Sequence, residues 1–336
     1  MIIEEKIKRP ASEDHLEQLH QVCNKFQLLK REIAEHVVGN HKTVNLILNA
    51  MLSNGHILLE GVPGVAKTTM VKTVAKLLGL DFKRIQFTPD LLPADLIGTL
   101  IYNSKTQDFQ TKKGPIFSNI VLADEINRAP AKVQSALLEC MQEHQVTIGS
   151  ETHKLQEPFF VFSTQNPIEQ EGTYQLPEAQ LDRFIFKIKV DYPSIEEEAM
   201  ILNLGNKVFV EKNILSKEDI IEAQKVTELI YVDQKIIQYI VEIVWATRDL
   251  NRLKKIKKEA ADWISFGASP RASIALFQAS KAEALLNKRH FVTPDDVKTV
   301  ALPILRHRIV PSYQAQADEI STDVIAQLIL DSLPTP

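Results

Sequence analysis

Apolar residues recur at three- and four-residue steps in the first patterned stretch of the chain: Leu16, Leu19, Val22, Cys23, Phe26, Leu29, Ile33 and Val37. This is one face of a helix over residues 13–38, stopped at Gly39-Asn40. A second helix is predicted over Lys42–Ser53, ending at Asn54-Gly55. The pattern then changes. His56-Ile-Leu-Leu-Glu60 is short, apolar and followed by a Gly/Pro turn, which reads as a buried strand, and a helix over Lys67–Leu78 follows directly. Arg84–Phe87, Ile120–Ala123 and Phe159–Ser163 read as further core strands, and Phe184–Val190 as a fifth that alternates more. Helical patterns such as Lys132–Glu143 separate several of them. Strands alternating with helices predict a parallel sheet covered on both faces.

Two inserts interrupt the alternation. Residues 98–113 carry β-type residues around Asn103-Ser104-Lys105, and residues 145–155 read as a hairpin turning at Gly149-Ser150. Beyond Tyr192-Pro193 every stretch is helical in pattern, punctuated by Pro270, Pro294 and Pro311. Thr293-Pro294-Asp295-Asp296 is a helix start, with an N-cap, a proline at the first position and acids in the first turn. A chain of 336 residues is expected to hold more than one domain. The predicted organisation is an N-terminal helical extension (1–35), an α/β core (36–193) and a helical C-terminal domain (194–336).

Composition narrows the function. A formal charge of -4 gives no bulk basic field, so nucleic acid is not expected as a partner. The one basic run, Arg252–Lys258, reads as a solvated loop between helices, with contact to nucleic acid or an acidic partner as the alternative. Cys23 and Cys140 are too few for a disulfide framework and read as buried reduced thiols. The nine histidines form no metal constellation. The residues after Met1 form no apolar signal core, and no stretch of about 18 apolar residues occurs, so a cytoplasmic protein without a membrane segment is expected.

The chemistry starts at Gly61-Val-Pro-Gly64-Val-Ala-Lys67-Thr68, which sits between a predicted strand and a predicted helix, the context that a P-loop requires. Gly61 and Gly64 permit backbone shapes that let successive N–H groups wrap phosphate oxygens. The helix starting near Lys67 adds its positive dipole end. Lys67 then neutralises the β- and γ-phosphates of ATP, and the Thr68 hydroxyl ligates Mg²⁺. Pro63, Val65, Ala66 and Thr69 complete this nucleotide-binding set. Ile120-Val-Leu-Ala-Asp124-Glu125 is an apolar strand ending in two acids. Downstream of a P-loop, Asp124 is placed to hold the metal through water, and Glu125 to act as base or orienter for the attacking water. Asn166, in Thr164-Gln-Asn-Pro167, either positions that water beside the γ-phosphate or merely begins an Asn-Pro turn. Arg183 and Arg271 are each either a charge delivered to the γ-phosphate or a surface ion-pair partner.

The chain resembles the MoxR family of AAA+ ATPases. The resemblance rests on Gly55–Thr68, Arg84-Ile-Gln-Phe-Thr-Pro-Asp90 and its continuation to Gly98, Gly114-Pro-Ile-Phe117, Ala123-Asp-Glu-Ile-Asn-Arg-Ala-Pro130, Ala136–Glu143, Thr164–Pro167, Leu176–Phe184 and Ser269-Pro-Arg271. It covers most of residues 36–306, and Ala66 fits it, because Val-Ala-Lys is the family's usual form of the loop. The resemblance implies an AAA+ P-loop core with a five-stranded parallel sheet and a C-terminal all-α lid. It implies that Lys67 and Thr68 are Walker A, Asp124 and Glu125 Walker B, and Asn166 sensor 1. Arg183 is then the arginine finger, acting on a neighbouring subunit's ATP, and Arg271 is sensor 2, in cis or in trans. The two inserts resemble hairpins that face a ring's pore. Val37, Val38 and Gly39 resemble an adenine pocket, or are an ordinary helix end.

The resulting reading is a chaperone-like ATPase. It implies a homo-oligomer, a hexameric ring, that remodels or activates a protein client bearing a von Willebrand factor A domain. The alternatives are a nucleic-acid-stimulated motor, a metal-chelatase motor subunit and a nucleotide-gated scaffold that hardly turns over. The complete set of Lys67, Asp124, Glu125 and Asn166 argues against the last.

Overall fold

The computed structural model describes residues 13–168, 172–204, 213–253, 260 and 262–336. Helices α1 (Glu13–His36) and α2 (His41–Leu52) lead into β1 (Ile57–Glu60) and α3 (Lys67–Leu77). β2 (Phe82–Gln86), α4 (Pro93–Ile97), β3 (Gly98–Asn103), β4 (Asp108–Lys113) and β5 (Ile120–Asp124) follow. Next come α5 (Ala131–Glu143), β6 (Gln145–Ile148), β7 (Glu151–Lys154), β8 (Phe160–Gln165), α6 (Glu178–Leu181) and β9 (Phe186–Lys189). The remainder holds α7 (Ile195–Leu204), α8 (Lys217–Glu228), α9 (Gln234–Ala246), β10 (Ile264–Phe266), α10 (Pro270–Leu286) and α11 (Pro294–Leu305). β11 (Val310–Pro311), α12 (Tyr313–Ala317) and α13 (Thr322–Ser332) close it.

Five strands form one parallel sheet in the order β2-β5-β8-β1-β9. Its central strands are apolar on both faces because both faces are covered. Ile57, Leu59, Ile120, Leu122, Phe160 and Phe162 point to one side, into a cluster that takes in α1, α2, α3 and the lid helices. Leu58, Val121, Ala123 and Val161 point to the other, against α5. β3–β4 and β6–β7 are antiparallel hairpins outside this sheet, and Leu100 of the first lies against Gly149 at the turn of the second.

α1 packs against the C-terminal helices. Cys23 Sγ donates to Leu285 O, Gln27 Nε2 donates to Leu286 O, and Lys25 pairs with Asp219, so α1 docks on lid helices α10 and α8. Cys23 and Cys140 are both buried free thiols, and burial pushes the Cys140 thiol up to about 12. Helical periodicity beyond Ser194 misses one feature: β10 and β11 pair antiparallel as a small ribbon. Two and three residues are too few for a period of two to register in sequence. The basic run Arg252–Lys258 lies largely outside the described residues. Among the described residues, no helix is long and apolar enough to cross a membrane.

His56 is buried between the sheet and α5. Its Nε2 donates to Met141 O at 3.0 Å and its Nδ1 accepts from Val161 N–H at 3.0 Å, so the neutral ring is satisfied on both nitrogens. Burial pushes its pKa from the ordinary 6.5 down to about 4, and buried His307 is pushed down in the same direction. The unfolded chain therefore takes up a proton that the folded chain refuses. The stability from neutral His56 is fully present above about pH 6.5 and is lost as the pH falls toward about 4. The shift corresponds to roughly 3 kcal/mol across that window. Urea unfolding of wild type and His56→Gln between pH 7.5 and 4.5 checks this: the variant should be less stable at neutral pH and lose less on acidification. Parallel pH profiles would contradict it.

Candidate functional site

The loop after β1 is shaped by three residues. A Cβ on Gly61 would stand 2.5 Å from Val190 O, so only glycine fits there. Gly64 (φ 89) and Ala66 (φ 58) are left-handed. For Ala66 that conformation costs about 1–2 kcal/mol relative to a right-handed one, strain held in place by the surrounding loop. Ala66 C=O accepts from Met70 N–H at 2.9 Å, so the loop runs directly into the N-terminal turn of α3. The free N–H groups of that turn face the loop, the arrangement that binds phosphate.

Strand register gathers the other groups. Gln86 pairs with Asp124, Ala123 with Ser163, and Glu60 with Gln165, so β2, β5, β8 and β1 end together. A cleft of about 350 Å³ opens there, lined by Pro63, Gly64, Val65, Ala66, Lys67, Thr68, Thr69, Arg84, Asp124, Glu125, Thr164, Gln165 and Asn166. Lys67 Nζ donates to the carbonyls of Gly61 and, at 3.1 Å, Val62. Burial pulls its pKa down, while Asp124, Glu125 and Glu60 pull it up. Asn166 is buried, and its Oδ1 accepts from Ile168 N–H at 3.2 Å.

Thr164, Arg84 and Gln86 received no role from sequence. Thr164 Oγ1 donates to Asp124 Oδ1 (2.5 Å) and accepts from Glu125 N–H (2.8 Å), joining both acids through one buried hydroxyl. Arg84 donates Nε (2.9 Å) and Nη2 (2.5 Å) to Asp124 Oδ2. Gln86 Nε2 donates to Glu125 Oε2 at 2.8 Å, and Arg128 Nε stands 3.1 Å from the same oxygen. Glu125 itself is left-handed (φ 58), a strained shape that turns its carboxylate off the strand. The available signal was the spacing of two: Arg84 and Gln86 are exposed polar residues on one face of β2, beside the strand that carries the acids.

A hydroxyl and a carboxylate, Thr68 and Asp124, share the cleft, a hard-oxygen donor set that suits Mg²⁺ held together with substrate phosphates. Arg84 is the cation now on Asp124. Its side chain is 51% exposed, so that pair contributes at most about 1 kcal/mol and orients Asp124 without outcompeting a divalent ion.

Arg183 and Arg271 lie elsewhere. Both line a second cleft, together with His56, His144, Asp182 and Arg308. Arg183 Nη1 donates to Leu138 O at 2.6 Å, and its Nε is buried without a hydrogen-bond partner. Neither arginine lines the P-loop cleft. Val37, Val38 and Gly39 form the turn between α1 and α2, also outside that lining. A Cβ on Gly39 would stand 2.4 Å from a Glu197 carboxylate oxygen, so α7 covers this turn.

Residues 56–186 match the ATPase family associated with various cellular activities (AAA), and residues 256–328 match the AAA lid domain. The chain is 48% identical over 306 residues to Chaperone MoxR1 of Mycobacterium tuberculosis, covering 91% of this chain and 81% of that one. It is 47% identical over 309 residues to YeaC of Bacillus subtilis, covering 90% and 93%. A crystal structure of a candidate ATPase from Cytophaga hutchinsonii superposes with a TM-score of 0.89 at 49% identity, covering 95% of this chain and 97% of that one. The chain belongs to the MoxR family of AAA+ ATPases. A MoxR-type AAA+ ATPase binds and hydrolyses ATP. The five-stranded parallel sheet with a helical C-terminal lid is the fold that the sequence pattern predicts.

Lys67→Ala should reduce ATP affinity at least tenfold, because the charge-assisted contact to phosphate is lost, while the fold survives. Titration with a fluorescent ATP analogue, with melting as the control, checks both. Undiminished affinity would contradict the placement of nucleotide in this cleft.

Proposed function

We propose that this protein is a chaperone-like ATPase whose active site is completed by a second copy of the chain in a hexameric ring. The observation that supports the reading is the split of the charged machinery. Lys67, Thr68, Asp124, Glu125 and Asn166 line one cleft, and Arg183 and Arg271 line another. An arginine acts on a γ-phosphate only by touching it, so both arginines serve the nucleotide of a neighbour. Their shared cleft favours action in trans for Arg271 as well as Arg183.

In this reading the loop from Gly61 to Thr69 cradles the phosphates, and Lys67 leaves the Gly61 and Val62 carbonyls to meet them. Thr68 and Asp124 hold Mg²⁺, which neutralises phosphate charge when bound. Glu125 takes a proton from water as its oxygen bonds to the γ-phosphorus and the bond to ADP breaks. Asn166 orients that water. Gln86 and Arg128 hold the Glu125 carboxylate aside until the site is loaded. The adenine is assigned to the turn at Val37, Val38 and Gly39. Val190 closes on Gly61 and, a few residues later, Glu197 closes on Gly39, which keeps that turn near the loop.

Turnover in the ring is coupled to remodelling a protein client with a von Willebrand factor A domain. The exposed Tyr102–Phe109 pair on the β3–β4 hairpin, with ring centroids 5.4 Å apart, is an apolar contact suited to polypeptide. We infer that this work is done in the cytoplasm.

Mixing two inactive variants tests the split site. Lys67→Ala subunits bind ATP poorly but keep Arg183, and Arg183→Ala subunits bind ATP but lack it. Arg183→Ala alone should fall at least about 10³-fold in kcat, the scale of a lost arginine contact in phosphoryl transfer, and Lys67→Ala alone should be nearly inactive. Co-assembled, some sites pair an intact loop with an intact arginine, and activity should partly return. No recovery at any ratio, with co-assembly established by gel filtration, would contradict the reading.

A further inference from the structure

Arg308 follows α11 on the lid side, yet its side chain is almost entirely buried, and it is spent on the chain segment that carries Arg183. Nε donates to Asp182 Oδ1 at 2.7 Å. Nη1 donates to Ile185 O (3.1 Å) and Ile304 O (2.7 Å), and Nη2 to Asp182 O (3.1 Å) and Phe184 O (2.7 Å). A guanidinium has five N–H donors, and all are used. The neighbouring His307 Nε2 donates to Phe184 O at 3.0 Å, and Arg306 Nη1 to Lys187 O at 3.0 Å. Three consecutive residues of the lid thus run along the segment from Asp182 to Lys187 and take up its carbonyls.

The other oxygen of Asp182 completes the link. Oδ2 accepts from Ser269 Oγ at 2.7 Å, and Ser269 Oγ in turn accepts from Arg271 N–H at 3.1 Å as the N-cap of α10. One carboxylate therefore joins three things: the residue before Arg183, the first turn of the helix bearing Arg271, and the buried Arg308. Burial lowers the pKa of Arg308 and the Asp182 carboxylate raises it, yet the group stays charged, because no arginine titrates in the physiological range. A buried charge with this many partners is replaceable only by a side chain of the same fork geometry.

We propose that Asp182 and Arg308 are positioning residues that hold Arg183 of the core and Arg271 of the lid on one rigid platform, aimed together at a neighbouring subunit's ATP. This rests on the intersubunit reading above. Neither residue lines the P-loop cleft of its own chain, so neither touches the nucleotide bound there. Their effect reaches the reaction through the two arginines. Displacing a catalytic group by about 1 Å costs as much as about 10²-fold in rate, so a loosened platform is visible in kcat while ATP affinity is kept.

The test uses Arg308→Lys, which keeps the charge but not the fork, and Asp182→Asn, which keeps the shape and the acceptor for Ser269. Each full-length variant should bind a fluorescent ATP analogue within about twofold of wild type, keep its KM, and lose about 10- to 10²-fold in kcat. Activity should return on mixing with Lys67→Ala subunits, which supply an intact platform. It should not return on mixing with Arg183→Ala subunits, which do not. Arg308→Lys added to Arg183→Ala should lower kcat little further, because both remove the same contribution. Wild-type kcat, a lost ATP affinity or the reverse mixing pattern would overturn the proposal. If Arg308→Lys fails to fold, the same outcomes are read from Asp182→Asn. The Lys67→Ala plus Arg183→Ala mixture separates the two claims. If that control stays inactive, the intersubunit reading fails and carries this one with it. If it recovers and the Arg308→Lys mixture does not, the platform alone is overturned.

Discussion

Parallel pairing puts the carboxyl ends of β1, β5 and β8 at one edge of the sheet, and every group in the P-loop cleft depends on that register. Ala123 opposite Ser163 brings Thr164 beside Asp124, and Glu60 opposite Gln165 brings Asn166 beside the loop. A shift of one residue would send Asp124 to the opposite face and break the hydroxyl link among Asp124, Thr164 and Glu125. What fixes the register is burial on both faces: Ile120 through Ala123 and Phe160 through Phe162 are enclosed on both sides of the sheet. At about 25 cal/mol per Å² of apolar surface, each of the large side chains here contributes roughly 1.5–3 kcal/mol. No single polar contact in the cleft, at about 0.5–1.5 kcal/mol net, competes with that sum.

In the proposed reading the cleft so formed is chemically incomplete within one chain. On that reading it holds a cation for the phosphates, donors for a metal, a carboxylate base for the water and an amide to orient it. Among the described residues lining it, the one cation besides Lys67 is Arg84, which is engaged with Asp124. The two arginines able to supply another are displaced to the cleft at the core–lid junction. The lid is therefore more than a cover. Through α1, which docks on α8 and α10, and through Arg306, His307 and Arg308, it is continuous with the core cluster and holds the segment that presents Arg183. Assembly and catalysis become one requirement in such a design.

Much of this was legible in the sequence, for physical reasons that differ by element. The five sheet strands announce themselves because each is an apolar run set against Gly, Pro or acidic punctuation. Lys67 and Thr68 were placed by a P-loop's fixed spacing to a strand and a helix, and Asp124 and Glu125 by ending an apolar strand; the fold brings all four to one cleft. The β10–β11 ribbon was not legible, since its pairing joins residues over forty positions apart and each strand is very short. Nor was Thr164, and Arg84 and Gln86 left only their spacing of two, because all three roles arise when β2 and β8 flank β5. Arg308 is the clearest case. In sequence it is one arginine in Arg-His-Arg, and only the fold turns it inward onto Asp182.

The central claim is that one subunit cannot complete its own site, and a dilution series of the wild-type protein tests it most directly. ATPase turnover per subunit is measured across a wide range of protein concentration, alongside the assembled fraction from sedimentation velocity. Turnover per subunit should rise in step with assembly by mass action and level off once rings predominate. Equal turnover per subunit at dilutions where only monomer sediments would contradict the account.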